Sequence, residues 1–165
     1  MNKKPVEDPG LSISLKKEFE VLVKQNMKRA YFSALGLLGS HDAAMDASQE
    51  AFIRAYRNYK TYNREKKFFT WYYSILKNLC INIIRDRKRK EKIEFIEYRN
   101  IEQQSKLIDE IENKELLQLL QEAINKLKFE EKEIIVLKEF ENYSYKEISE
   151  LLGIPIGSVM SRLFY

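Results

Sequence analysis

Apolar positions recur at helical spacing through most of this chain. The clearest run lies over residues 67–90, where Tyr72, Ile75, Leu76, Leu79 and Ile83 repeat at i, i+3, i+4, i+7 and i+11 and predict one buried helix face. On the same helix Asn78, Asn82, Arg85 and Arg89 fall at a second, polar spacing, so amides and guanidinium groups share a face that suits base edges and phosphates as well as plain solvent. Upstream, Phe19, Leu22, Val23, Met27, Ala30, Tyr31 and Ala34 predict a helix over 15–38, loosened or ended by Gly36 and Gly39. Ser40 or Asp42 can cap the next helix, over 42–59. There Ala44, Ala47, Ala51 and Ala55 with Phe52 and Tyr56 allow close packing, while Asp46, Gln49, Glu50, Ile53 and Arg57 form a polar stripe around one apolar knob. Such a stripe is ordinarily solvated; it can also dock a basic partner helix, with charge steering and Ile53 anchoring.

The connector over 60–67 mixes rings, cations and an amide, the composition of a single-strand nucleic-acid surface. After Arg89 the period is lost and a linker is expected, followed by an acidic stretch through Asp109, Glu110, Glu112 and Glu115. Periodicity returns from residue 113. Leu116, Leu117, Leu120, Ala123, Ile124 and Leu127 predict one helix, and residues 131–140 a second. Ser144 and Glu147 match the S-x-x-E capping box, Gly153 reads as a C-terminal stop, and Pro155 opens a last helix. Short helix, glycine turn and short helix make a helix-turn-helix. Ile156, Val159 and Leu163 are expected to point inward, leaving Gly157, Ser158, Met160, Ser161 and Arg162 for a DNA backbone and its bases.

Composition narrows the picture. The 165 residues fit one domain or two small ones, and five Gly and three Pro favour an all-α chain. The net charge of +4 is modest, but the positive side chains cluster after the 67–90 helix. Cys80 alone cannot build a disulfide framework, and a single His41 cannot nucleate a His-rich metal site. No cofactor, metal or small-molecule substrate is expected, and no His pair, carboxylate cluster or phosphate loop suggests an enzyme. Neither a signal peptide nor a membrane-spanning run is visible, so a cytoplasmic protein without direct membrane insertion is expected.

Two signatures in fixed order carry a resemblance. The first is Asp46, Gln49, Glu50, Phe52, Arg54, Ala55 and Tyr56, followed by Phe68, Thr70, Trp71, Ile75 and Asn78 and a basic string. The second runs from Tyr143 to Leu163. Together they resemble the extracytoplasmic-function (ECF, group IV) sigma factors of bacterial RNA polymerase. The resemblance implies two small helical domains: a tail over 1–14, a region two domain over 15–92, a flexible linker over 93–112 and a region four helix-turn-helix domain over 113–165. It implies core polymerase binding through Asp46, Gln49, Glu50 and Ile53. Reading of the parted minus-ten strand, with a base flipped into a pocket, falls to Tyr62, Asn63, Arg64, Lys67, Phe68, Trp71, Asn78, Asn82 and Arg85. Minus-thirty-five contacts fall to Pro155, Gly157, Ser158, Met160, Ser161 and Arg162. Core RNA polymerase, promoter DNA and an anti-sigma factor are the implied partners. The alternative from residues alone is a helix-turn-helix regulator that does not bind polymerase, which leaves the first signature unexplained.

The chain departs from the family pattern in four places. Tyr62 to Lys67 replaces the usual F-R-G-E-x-S, Phe69 stands where Arg is common, and Leu127-Lys128 replaces Leu-Pro. The sequence stops at Tyr165, where relatives carry a further basic run, so weakened minus-thirty-five affinity is expected.

Overall fold

In the computed structural model, residues 12–94 and 122–164 are described. The expected tail up to residue 11, the expected linker from residue 95, and the start of the following helix up to residue 121 lie outside them. All described secondary structure is helical. Helix α1 spans Ile13–Leu38, α2 His41–Arg57 and α3 Phe68–Glu94, with a single 3-10 turn at Tyr59–Thr61 between α2 and α3. Helical residues 122–126 then precede α4, Phe129–Ile135, which continues as a π-helical segment over Val136–Phe140. Helices α5, Tyr145–Leu152, and α6, Ile156–Phe164, complete the second half.

Helices α1, α2 and α3 form a three-helix bundle. Ser12 and Ser40 cap α1 and α2, their hydroxyls accepting from Leu15 N at 3.4 Å and Ala43 N at 3.5 Å. Ser40, not Asp42, is therefore the cap of α2. The alanine stripe of α2 is fully removed from water and lies against α1, whose Ala30 and Ala34 are equally small and buried. Between them α3 inserts Tyr72, Leu76 and Leu79, and Tyr72 Oη donates to the Ser48 carbonyl at 3.0 Å. Each large apolar side chain fully buried here contributes about 2 kcal/mol. Met27, expected on the apolar stripe of α1, is instead largely exposed. It lies eight residues beyond buried Phe19, by which point the helix has rotated about 80° past that face.

The second half packs its short helices around Ile134, Leu137, Ile148 and Val159. The Ser144 capping box is complete: Glu147 N donates to Ser144 Oγ at 3.2 Å and Ser144 N to Glu147 Oε2 at 2.9 Å. Gly153 ends α5 at φ 65°, a left-handed conformation that a side chain would strain. Lys128, where the family has Pro, uses the N–H that Pro lacks, donating to Glu131 Oε2 at 2.8 Å. Ile156 is a correction to the inward trio. It is half exposed in the first turn of α6, where the small core already ends, while Val159 is fully buried and Leu163 partly so.

The two halves share one continuous core. The π-helical segment and Asn142, at φ 53°, turn the chain so that Glu141 and Tyr143 face the bundle. Glu141 is nearly inaccessible; it accepts from Ser33 Oγ and pairs with Arg29. The Arg29 guanidinium in turn stacks 3.8 Å above the Phe69 ring, which accounts for an aromatic residue at that position. Glu133 pairs with Lys77 at 2.8 Å and lies 3.5 Å from Tyr73 Oη, and Thr70 Oγ1 meets Tyr143 Oη at 3.2 Å. Gly36 lets Val136 approach so closely that an added Cβ would sit 2.5 Å from its Cγ2. No buried side-chain N or O among the described residues lacks a partner.

Candidate nucleic-acid interface

The 62–67 loop is held from behind by an aromatic stack rooted in the core. Phe19 of α1 meets Tyr59 edge-on at 5.0 Å, Tyr59 stacks on Tyr62 at 5.8 Å, and Tyr62 lies 5.2 Å from Trp71. Phe68 is buried between these rings, 5.5 Å from Tyr62 and 5.8 Å from Trp71, so it supports the surface rather than forming it. The loop also closes on itself. Tyr62 Oη donates to the Lys66 carbonyl at 2.6 Å, and Glu65 N donates to Asn63 Oδ1 at 2.9 Å. Asn63, Arg64 and Lys67 are exposed at its rim, and Lys67 pairs with Glu147 of α5 at 3.2 Å.

Trp71 and Asn78 are seven residues apart, two turns and about 10 Å along α3 on one face. Asn78 and Arg85 are exposed and Asn82 half-buried. The same face ends in exposed Arg89, with Lys88 and Lys90 exposed on either side of it. Stacking rings, open amides and a cationic track therefore follow one another along a single rigid helix, an arrangement able to hold unstacked bases and their backbone.

On α2, Asp46, Gln49 and Ile53 are exposed, with Ile53 at 47%, while Glu50 is half-buried and bonded to Arg54 at 2.7 Å. Asp46 and Glu50 border a concavity between α2 and α3 whose α3 side carries Leu79, Ile83 and Asp86 together with the cations Arg87 and Lys90. The α2 side of this concavity, with Asp42, Asp46 and Glu50 beside an apolar floor, is the part that fits a basic helical partner. In α6, Pro155, Gly157, Met160 and Ser161 are exposed and Ser158 and Arg162 partly so, opposite buried Val159. Pro155 offers its carbonyl to Ser158 N at 2.9 Å and Val159 N at 3.2 Å, starting the helix without needing an N–H of its own.

Electrostatics fix several of these groups. Backbone and hydroxyl hydrogen bonds from Ser144, then Lys67, hold the Glu147 carboxyl down at about 2. Burial pushes Tyr59 up to about 12, aided by its hydrogen bond to Glu18. Burial also raises Cys80 to about 12, which makes it a core residue and not a reactive thiol. Glu18, which periodicity did not mark, accepts from both Tyr59 and Arg64, and its only sequence signal was an acid beside buried Phe19. Among the described residues no metal-binding group of side chains comes together, and no helix is long and apolar enough to cross a membrane.

The chain matches the sigma-70 region 2 family over residues 22–90 and the sigma-70 region 4 family over residues 117–164. It is 35% identical over 136 residues to the ECF RNA polymerase sigma factor SigW of Bacillus subtilis, covering 77% of this chain and 73% of that protein. It is 32% identical over 161 residues to the ECF RNA polymerase sigma-E factor of Haemophilus influenzae, covering 90% and 83%. By structure it is similar to the sigma factor RpoE bound to the anti-sigma factor NepR from Bartonella quintana, with a TM-score of 0.71 at 22% identity over 89% of this chain and 90% of that one. CnrH, in complex with the cytosolic domain of CnrY, gives 0.62 at 18% identity over 90% and 81%. Bundle, helix-turn-helix and relatives agree, and the chain belongs to the ECF group of RNA polymerase sigma factors. It binds core RNA polymerase and directs promoter recognition.

Proposed function

We propose that the first half divides this work between two faces. Asp46, Gln49, Glu50 and Ile53 dock the core enzyme, and Tyr62, Asn63, Lys67, Trp71, Asn78, Asn82 and Arg85 read the opened minus-ten strand. Phe68 acts from behind, holding Tyr62 and Trp71. The observation that carries this reading is the sequence of rings, amides and cations from Trp71 through Asn78 and Arg85 on one face of α3, distinct from the face of α3 that lines the concavity with Asp46 and Glu50. Stacking on Trp71 offsets the few kcal/mol needed to unstack a base. In α6, Gly157, Ser158, Met160, Ser161 and Arg162, with Pro155 at its start, meet the minus-thirty-five major groove. The division into units over 15–92 and 113–165 is supported by the family matches, which fall on either side of the expected linker.

The protein works in the cytoplasm, where its polymerase is. An anti-sigma factor is its expected inhibitor, supported by the structurally similar sigma factor RpoE solved with the anti-sigma factor NepR. Co-purification with core polymerase, followed by promoter-dependent transcription from the reconstituted holoenzyme, tests the reading. Absence of core binding at micromolar protein contradicts it.

A further inference from the structure

The minus-ten loop is tied to a residue that lies before the region 2 match begins. Glu18, on α1, takes three hydrogen bonds from the loop and the turn before it. Tyr59 Oη donates to its Oε1 at 2.7 Å, Arg64 Nε to the same oxygen at 3.1 Å, and Arg64 Nη2 to Oε2 at 3.3 Å. The guanidinium fork thus grips both carboxylate oxygens, a geometry that fixes orientation as well as charge. The Arg64 guanidinium carbon also lies 5.5 Å from the centre of the Tyr59 ring. Tyr59 is the ring on which Tyr62 stacks, and Tyr62 touches Trp71. One carboxylate therefore sets both the ring under the reading surface and the cation at its rim. The neighbouring residue, Phe19, packs on the same Tyr59 from the apolar side, so a single turn of α1 holds the loop by two kinds of contact.

We propose that Glu18 is a positioning residue for promoter reading, and that Arg64 is a strut between Glu18 and Tyr59 instead of a phosphate contact. A free Arg64 would be drawn to the DNA backbone; here its fork is occupied by Glu18, in a half-exposed pair whose part is orientation more than stability. The proposal rests on the assignment of the 62–67 loop to the minus-ten strand. It revises the role first expected of Arg64 and adds a residue that no motif marked.

Charge exchange separates a strut from a DNA contact. Full-length chains carrying Glu18→Arg, Arg64→Glu, and both together are compared with the original chain in holoenzyme. The template is a DNA library randomised across both promoter elements, with transcripts sequenced. Each single substitution should lower transcription from the best-selected promoters about tenfold and flatten base preference at minus ten, as a displaced reading loop would. Core polymerase affinity should not change. The double exchange should restore output and base preference to within about threefold, because the pair is re-formed with its polarity reversed. A double variant no better than Arg64→Glu alone overturns the proposal, since a cation at 64 is then needed by the DNA itself. Undisturbed minus-ten preference in Glu18→Arg overturns it equally. If Glu18→Arg lowers the melting temperature, Glu18→Gln carries the test: it keeps an acceptor for Tyr59 but drops the charge, and an unaltered base preference rejects the positioning role. If the original chain itself yields no promoter-specific transcripts, the assignment of the loop fails first and the proposal falls with it.

Discussion

The two halves of this protein solve the same problem, presenting side chains to DNA, with opposite economies of structure. The first half sets its proposed reading surface on a 27-residue helix and backs it with rings that reach the centre of a three-helix bundle. The second half presents a nine-residue helix with small side chains, anchored by Val159 and a capped partner helix. An unstacked base needs a rigid wall in place before it arrives, whereas a groove needs only a slim helix held at the right angle. Most of the first half's core lies within its own three helices, while the second half packs its core against α1 and α3 in one continuous cluster. That asymmetry makes the seam between them the place where stability is most exposed to single changes.

The largest effect is expected at Glu141. Glu141→Ala leaves Arg29 without its partner and should cost about 3 kcal/mol. By hydrogen exchange, protection should fall in residues 129–164 while residues 13–94 keep theirs. Equal loss in both would mean that the three-helix bundle depends on the seam as much as the second half does. Next comes Trp71→Ala, which removes a stacking platform worth about 2 kcal/mol, so open-complex formation should fall about thirtyfold, while melting temperature should fall only by the loss of its contacts with Tyr62 and Phe68. A comparable fall in melting temperature would turn Trp71 into a core residue. Ser144→Ala removes the cap that begins the helix-turn-helix and should cost about 1 kcal/mol, read by thermal denaturation.

The smallest effects concern pH, and they have opposite signs on the two carboxylates that α4 and α5 turn toward the bundle. Burial raises the Glu133 carboxyl above its ordinary 4.5, with Lys77 and Tyr73 opposing. Its stability contribution is therefore full below 4.5 and lost as pH rises through the raised value. Glu147, held at about 2 by Ser144 and Lys67, contributes above 4.5 and loses that contribution as pH falls toward 2. Thermal melts of Glu133→Gln should lack the gain on mild acidification, and melts of Glu147→Gln should lack the deeper acid loss. Identical pH profiles for all three chains would contradict both assignments.

Much of each half could be read from spacing. The capping box, Gly153 and Pro155 carry local rules that tertiary structure had no reason to override, and the alanine stripe of α2 proved buried throughout. The polar face of α3 likewise emerged open to solvent at Asn78 and Arg85. What spacing could not convey was the seam. Periodicity marks one buried face per helix, yet α3 also buries Phe69, Tyr73 and Cys80. The partner that covers the outer part of this flank comes from the other half, with Glu133 beside Tyr73. Arg29 and Glu141 stand 112 residues apart, and no local pattern joins them. The π-helical turn that aims Glu141 inward reads in sequence as an ordinary helix through Phe140. Glu18 was hidden for the same reason, since its partners lie 41 and 46 residues on.

The central claim is that core docking and promoter opening occupy different faces of the first half. The direct measurement titrates Asp46→Arg/Glu50→Arg and Asn78→Ala chains against core polymerase, recording holoenzyme assembly and strand opening on the same promoter. The double charge reversal should weaken assembly about tenfold or more, yet open the promoter normally once polymerase is saturated. Asn78→Ala should assemble normally and remain defective in opening at every concentration. If both chains lose assembly and opening in parallel, the two faces are one, and the account is contradicted.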